Sequence, residues 1–295
     1  MKKFFFFGNY FYGLCAILLS IEAVLQQKIH IPPVTYFCFI FCLTVVYYTK
    51  AYISEIIHST ANERTIWYVK NKNKIFNSQI YLTVFSAVFA VFLLPNILNQ
   101  LRLLNTKDYI LISIFPLFGL LYYGFTSKFS LRQTHWLKPF IIGFVWSGIV
   151  TLAPLFYNQL QNEQHLNINF YNGLLFIKNL MFIAVLSIMF DIKDYATDYN
   201  QQLKTFVVSF GLRKTIFFIL IPLAIIGFIS FLLFAFNFYF PWQRILINTI
   251  PFIALLIVAS SMHQRRSIFY YLFIIDGLMI FKSICGIIAA IYFSS

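Results

Sequence analysis

The sequence predicts an all-α fold: residues 1–295 form a single domain, one polytopic membrane bundle of nine transmembrane helices. Three observations predict it. The first is composition. Of 295 residues, 60% are apolar and 21% aromatic, and only 11% are charged, with a mean hydropathy of +0.78. Soluble domains carry roughly 25% charged residues. Too few charges exist here to cover a water-soluble globule, which excludes a soluble enzyme, a disordered chain and a nucleic-acid-binding module. The second is the length of the apolar runs, and the third is the placement of Lys and Arg between them.

A crossing helix needs about 20 mostly apolar residues. Nine segments meet this requirement: 6–25, 32–53, 78–98, 108–126, 138–157, 171–193, 213–236, 245–262 and 268–293. Met1-Lys2-Lys3 precedes the first run, but no small-residue cleavage site follows cleanly, so the run reads as a membrane helix. Pro32 and Pro33 open the second segment, where a first turn tolerates proline. Pro241 separates the seventh from the eighth. Cys15, Cys38, Cys42 and Cys285 all lie inside apolar runs without metal-binding spacing, so they read as packing residues.

The basic residues set the orientation. With nine crossings, sixteen Lys and Arg fall on one side, including Lys2, Lys3, Arg64, Lys70, Lys128, Arg132, Lys204 and Arg265. Four fall on the other: Lys28, Arg102, Lys107 and Arg244. Cytoplasmic loops carry the basic excess. The N-terminus is therefore expected in the cytoplasm and the C-terminus outside, in a plasma or inner membrane. Glu22, Lys178 and Lys282 lie near the outer ends of their segments; the two lysines read as snorkelling to the interface, and Glu22 as snorkelling or capping. Asp276 lies about nine residues into the last segment, roughly 14 Å deep by helical rise. A carboxylate at that depth implies a partner in the bundle or a place on a cavity.

Three of the nine acids, Asp191, Asp194 and Asp198, fall within eight residues. Spacings of three and four put them within about 60° on one helical face. A cation or a set of basic groups would relieve their repulsion, and Mg²⁺ prefers such oxygen ligands, often shared with substrate phosphates. A solvated helix end and an ion relay in a transporter are the other readings of this cluster.

The flanking residues narrow the choice. Asp191-Ile-Lys-Asp194-Tyr-Ala-Thr-Asp198, followed by Lys204-Thr205 and Gly211, resembles the second aspartate-rich motif of the UbiA superfamily, the intramembrane aromatic prenyltransferases. Gln202 stands where that family usually has Gly. Tyr122-Tyr123, Lys128, Leu131-Arg132, Leu137-Lys138 and Trp146 resemble, more diffusely, its basic loop leading into helix five. The first aspartate-rich motif departs from the pattern. Arg64 fits its Arg and Glu55 its last Asp, but Tyr47 stands at the Asn and Ala51 at the middle Asp.

The resemblance implies transfer of a prenyl or polyprenyl group from a prenyl diphosphate to a lipophilic, aromatic-type acceptor, in quinone-type lipid synthesis. It implies Mg²⁺ held by Asp191, Asp194 and Asp198, with Glu55 completing the catalytic set. Arg64, Lys128, Arg132, Lys204 and Tyr195 become the candidates for diphosphate contact. On helix six, Ser187, Ala184 and Leu180 continue the aspartate face inward, either leaving room for substrate or permitting close helix packing. The altered first motif keeps a second reading open, a non-catalytic relative that binds isoprenoid lipids. A transporter is the third, although no repeated halves or paired broken helices support it.

Overall fold

The computed structural model describes residues 2–55, 63–101, 104–123, 131, 134, 136–200, 204–263 and 267–293. The side chains of 51–55, Asn96, Asp194, Ala196, Thr197 and His263 lie outside that description. The described residues contain helices and no strand. The long helices are α1 (Tyr10–Gln27), α2 (Val34–Glu55), α3 (Lys72–Leu93), α4 (Thr106–Tyr123), α5 (Lys138–Gln161), α6 (Phe170–Asn200), α7 (Leu212–Asn237), α8 (Trp242–Ser260) and α9 (Ile268–Tyr292). By length and composition, seven of them (α1, α3 and α5 to α9) are long and apolar enough to cross a membrane. The apolar stretch of α2, Val34–Lys50, is shorter. The all-α membrane fold is as expected, while the count of nine crossings goes beyond what length and apolarity establish.

Two boundaries differ from the expected ones, each for a local reason. The first apolar run is broken: Lys2–Phe7 is a separate short helix, and the chain bends at Asn9, which has a left-handed backbone (φ 65°). Long-range side-chain bonds hold the bend. The fully buried Asn9 amide donates to Thr49 Oγ1 (3.0 Å) and to the Tyr68 hydroxyl (3.1 Å), and Tyr68 donates to the Phe7 carbonyl (2.7 Å). The third helix begins at Lys72 rather than 78 and stops at Leu93, where Pro95 sets a 3₁₀ turn over Leu94–Asn96. Lys72 and Lys74 are exposed and carry their charge outward from the helix start.

Helix α6 is the hub, packed between α5 and α7, while α9 packs on α1 and α8, and α2 lies against α1 and α3. Helices in lipid gain little from apolar contact with one another, so small residues and polar bonds bring them together. Ser147 donates to the Phe176 carbonyl (2.6 Å), Asn179 to Thr151 Oγ1 (2.8 Å) and Ser230 to the Leu174 carbonyl (2.7 Å), tying α5 and α7 to α6. At Gly143 the approach of α5 is so close that an added Cβ would sit 2.7 Å from the Leu180 carbonyl and 3.5 Å from Ala184 Cβ. That settles the role of two residues on the aspartate face: Leu180 and Ala184 serve packing.

Three helices contain a π-helical turn: Gly148–Leu152 in α5, Ile216–Leu220 in α7 and Tyr271–Ile275 in α9. The first two have an evident cause. Pro154 and Pro222 follow two residues later and have no N–H for the regular ladder. No proline stands near the third.

Glu22, Lys178 and Lys282 do not snorkel. They are 0%, 2% and 3% exposed and meet inside the bundle, at the end away from Lys2–Phe7. Lys178 Nζ lies 2.8 Å from Glu22 Oε1 and Lys282 Nζ 2.6 Å from Glu22 Oε2. Gln26 bridges the group to Asn248 on α8 (3.0 Å) and accepts from Lys178 (2.7 Å). The reason is geometric: α1, α6 and α9 present these groups to one another, so pairing replaces a reach to the interface. Glu22→Gln would leave two ammonium groups buried side by side. It should cost about 3–5 kcal/mol, read as a large fall in the unfolding temperature of the purified protein in detergent. Unfolding at the wild-type temperature would show that the triad carries no such weight.

Candidate functional site

Seven helical segments enclose a cavity of about 490 Å³. Its polar end is built by residues at the same end of the bundle as Lys2–Phe7. Asp191 lies on α6, Lys193 two residues on, Lys138 is the first residue of α5, and Arg64 comes from the short helix Glu63–Lys70. Its interior is aromatic and aliphatic, with Phe115, Trp146, Ile183, Leu186, Phe190 and Met279 among the lining residues. Ser187 also faces the cavity, so the aspartate face divides: Ser187 makes room and the two residues deeper on the helix pack.

Asp191 is 2% exposed and forms an ion pair with Lys138, Nζ to Oδ1 at 2.6 Å. Helix α6 runs unbroken to Asn200, so Asp191, Asp194 and Asp198 share one helix as the spacing predicted. Asp198 is half-buried and is not among the cavity-lining residues. The side chains of Asp194 and of Glu55, the last residue of α2, lie outside the description. Lys128 and Arg132 lie outside the described residues.

Arg64 lines the cavity but is also buried and engaged. Its Nη2 donates to the Phe7 carbonyl (3.1 Å) and to Asn9 Oδ1 (2.6 Å), fastening the N-terminal bend over the polar end. Lys204 and Tyr195 are exposed and do not line the cavity, and the Tyr195 ring lies 6.0 Å from that of Tyr199. Thr205 and Gly211 have backbone roles. Thr205 Oγ1 accepts from the Val208 N–H (3.4 Å) as the cap of helix Phe206–Phe210. Gly211 turns the chain into α7 at φ 78°, ψ 160°, a conformation open essentially to glycine alone.

The α2 wall explains the changed first motif. Tyr47 faces the cavity and its hydroxyl donates to the Gly119 carbonyl on α4 (2.8 Å). Its neighbour Tyr48 accepts from Trp146 Nε1, and its ring stacks on Tyr12 at 4.7 Å. Phenols engaged in helix-to-helix contacts thus occupy the wall where the resemblance expects metal ligands. Of the α6 aspartates with described side chains, Asp191 lines the cavity and Asp198 does not, so the described residues bring one carboxylate to the place where a Mg²⁺ would draw on several. The α2 side adds no acidic ligand among the described side chains, since Ala51 is an alanine and Tyr47 is engaged. Among the described residues no three acidic, His or Cys side chains converge as a metal site.

Sequence reasoning placed Lys138 in the basic loop but not among the diphosphate candidates, and it read Lys193 as an ordinary interface charge. Lys138 follows a basic loop and precedes Pro139, a signal for a helix start. Nothing local ties it to Asp191, 53 residues away.

Lys138 competes with any cation for the Asp191 oxygen. Lys138→Met should therefore raise the affinity for Mg²⁺ or Mn²⁺ by about tenfold or more, since a unit charge at this range is worth a few kcal/mol even when screened. Asp191→Asn should lower that affinity. Calorimetric titration of the purified variants reads both signs, and equal affinities across the three proteins would contradict the shared oxygen.

No family model and no curated protein sequence matches the chain. Solved structures do. One is a digeranylgeranylglyceryl phosphate synthase, 16% identical, superposing with a TM-score of 0.57 over 99% of this chain and 99% of that one. Another is a UbiA homolog from Archaeoglobus fulgidus bound to DMAPP and Mg²⁺, 15% identical, TM-score 0.57, covering 97% of this chain and 99% of the other. The likeness runs along nearly the whole length, and the chain has the fold of these two membrane proteins.

Proposed function

We propose that the chain is a membrane prenyltransferase, moving a prenyl group from a prenyl diphosphate to a lipophilic acceptor. The observation that carries this reading is the cavity itself, which joins a mouth of charged groups to an aromatic, water-excluding interior. The A. fulgidus homolog with the same fold is described with DMAPP and Mg²⁺, a prenyl diphosphate and a divalent cation. The acidic face of α6 and the basic groups opposite it suit that pair of ligands.

In this reading the diphosphate lies at the polar end. Lys138, Lys193 and Arg64 surround it with positive charge, and ammonium or guanidinium groups form charge-assisted bonds to phosphate oxygens. A Mg²⁺ bound by the α6 carboxylates would supply Lewis-acid stabilisation of the leaving group. The chain's own residues do the rest. The prenyl tail lies among Ile183, Leu186, Phe190 and Met279. The aromatic faces of Phe115, Trp146 and Phe190 stabilise an allylic cation without offering it a nucleophile. The closed apolar walls keep out water that would capture that cation.

The phenols on α2 favour one competing reading, a non-catalytic binder of isoprenoid lipids, because they replace metal ligands. The two separate cleanly. Incubation of the purified protein with labelled prenyl diphosphates and an acceptor panel should give prenylated product by mass spectrometry. Asp191→Asn, Asp194→Asn and Asp198→Asn should each lower turnover by about 10²–10³ or more, as loss of an oxyanion-stabilising group does. Glu55→Gln should damage turnover comparably if that lone acid of the first motif takes part. Isoprenoid binding without product in the wild type would favour the binder, and full activity in all four variants would remove the diphosphate site.

The proposal places the chain as a nine-crossing protein with its N-terminus and the cavity mouth in the cytoplasm. The basic distribution supports this. A single cysteine introduced at 70 should resist a membrane-impermeant thiol reagent in intact cells and react after permeabilisation. Labelling from outside would reverse the orientation.

A further inference from the structure

The α9 π-turn and the residue it ends on are unexplained by the diphosphate chemistry above. Tyr271–Ile275 widens without a proline, and the Asp276 N–H bonds the Tyr271 carbonyl five residues back (3.1 Å). A π-turn inserts one residue into the helix and rotates all that follows by about 100°, and such turns are frequent at functional sites. Here the turn delivers Asp276 to the cavity wall. The residue is 3% exposed, and a single hydrogen bond holds it: the Tyr12 hydroxyl donates to Oδ2 at 2.7 Å. Among the described residues, nothing donates to Oδ1.

The surroundings suit a reacting group more than a structural lock. The Glu22 triad shows how this bundle satisfies a buried carboxylate when it needs only stability: two ammonium groups contact its two oxygens at 2.8 and 2.6 Å. Among the described residues Asp276 has no ion pair, and it lines the same cavity that would hold the prenyl tail. Tyr12 is itself fixed, its ring stacked on Tyr48, whose hydroxyl accepts from Trp146 Nε1. The carboxylate is thus held in one orientation, as a group that must meet a substrate atom requires.

We propose that Asp276, oriented by Tyr12, docks the hydroxyl of the prenyl acceptor and takes its proton during transfer. The inference rests on the prenyltransferase reading and names the acceptor class, a compound bearing an alcohol or phenol O–H. The step balances. The C1–O bond of the prenyl diphosphate breaks and its electron pair leaves on the diphosphate. The acceptor's hydroxyl oxygen forms the new bond to C1. The O–H proton passes to Asp276 Oδ1. A general base that meets its proton directly typically contributes about 10²–10⁴ in rate.

The test uses the full-length protein in lipid nanodiscs, with Asp276→Asn, Asp276→Glu and Tyr12→Phe. Asn preserves the size of the side chain and can still accept from Tyr12, so folding should survive, and the unfolding temperature checks it. A 4-alkylphenol and its methyl ether are titrated without any diphosphate. The wild type should bind the phenol at least tenfold more tightly than the ether, and Asp276→Asn should abolish that preference while leaving ether binding unchanged. In turnover, Asp276→Asn should lose about 100-fold in transfer to hydroxyl acceptors and keep prenyl diphosphate affinity within threefold. Asp276→Glu should recover part of the transfer. Tyr12→Phe keeps the carboxylate and loses its orientation, so it should weaken transfer less than Asp276→Asn. An Asn variant that keeps both the phenol preference and the transfer rate overturns the assignment. A wild type that discriminates phenol from ether yet transfers no prenyl group overturns the enzymatic reading while leaving the hydroxyl site in place.

Discussion

The structure depends on one constraint: a charge taken out of water into a helical bundle must find a partner or face a polar cavity. Helix α6 meets this constraint at both ends. Near its start Lys178 joins Glu22 and Gln26, and near its other end Asp191 meets Lys138. Between these points only Asn179 and Ser187 are polar, and Phe182, Ile188 and Met189 are fully buried. The two clusters differ in what surrounds them. The Glu22 triad is sealed within the packed bundle, so it fixes how α1, α6 and α9 register. The Asp191 pair opens on the cavity, so a ligand can exchange with its partner.

The same constraint separates what was legible in the sequence from what was not. Apolar runs of about twenty residues report the hydrocarbon thickness directly, so the helices and their order were legible. The aspartate spacing was legible too, because i, i+3 and i+7 mark a helix face regardless of the rest of the fold. The break at Asn9 was not, since its cause is a set of bonds to Thr49, Arg64 and Tyr68, 40 to 59 residues away. The pairing of Glu22 with Lys178 and Lys282 was hidden for the same reason, at separations of 156 and 260 residues. Position along a helix gave depth, and depth alone suggested snorkelling. Which face a residue presents, and to whom, is set by packing.

The site shows how one fold tolerates change in a motif. Tyr47 fills a wall position where metal ligands were expected and bonds α2 to α4 instead. The charge balance at the mouth then rests on α6, with Lys138, Lys193 and Arg64 as counter-charge. Thr205 and Gly211 belong to the same sequence motif as the aspartates but act on the backbone, capping one short helix and turning into α7. A motif read along the chain thus contains both ligand groups and the geometry that presents them.

The central claim is that a prenyl diphosphate enters this cavity tail first. Photolabelling tests it most directly. A prenyl diphosphate carrying a diazirine at the end of its tail would be irradiated with the protein in nanodiscs, and the adducts mapped by peptide mass spectrometry. The account predicts labelling of cavity residues such as Leu186, Phe190, Trp146 and Met279, suppressed by excess unlabelled prenyl diphosphate. Labelling confined to the lipid-facing residues of α3, such as Phe85 and Phe92, and indifferent to competitor would contradict it.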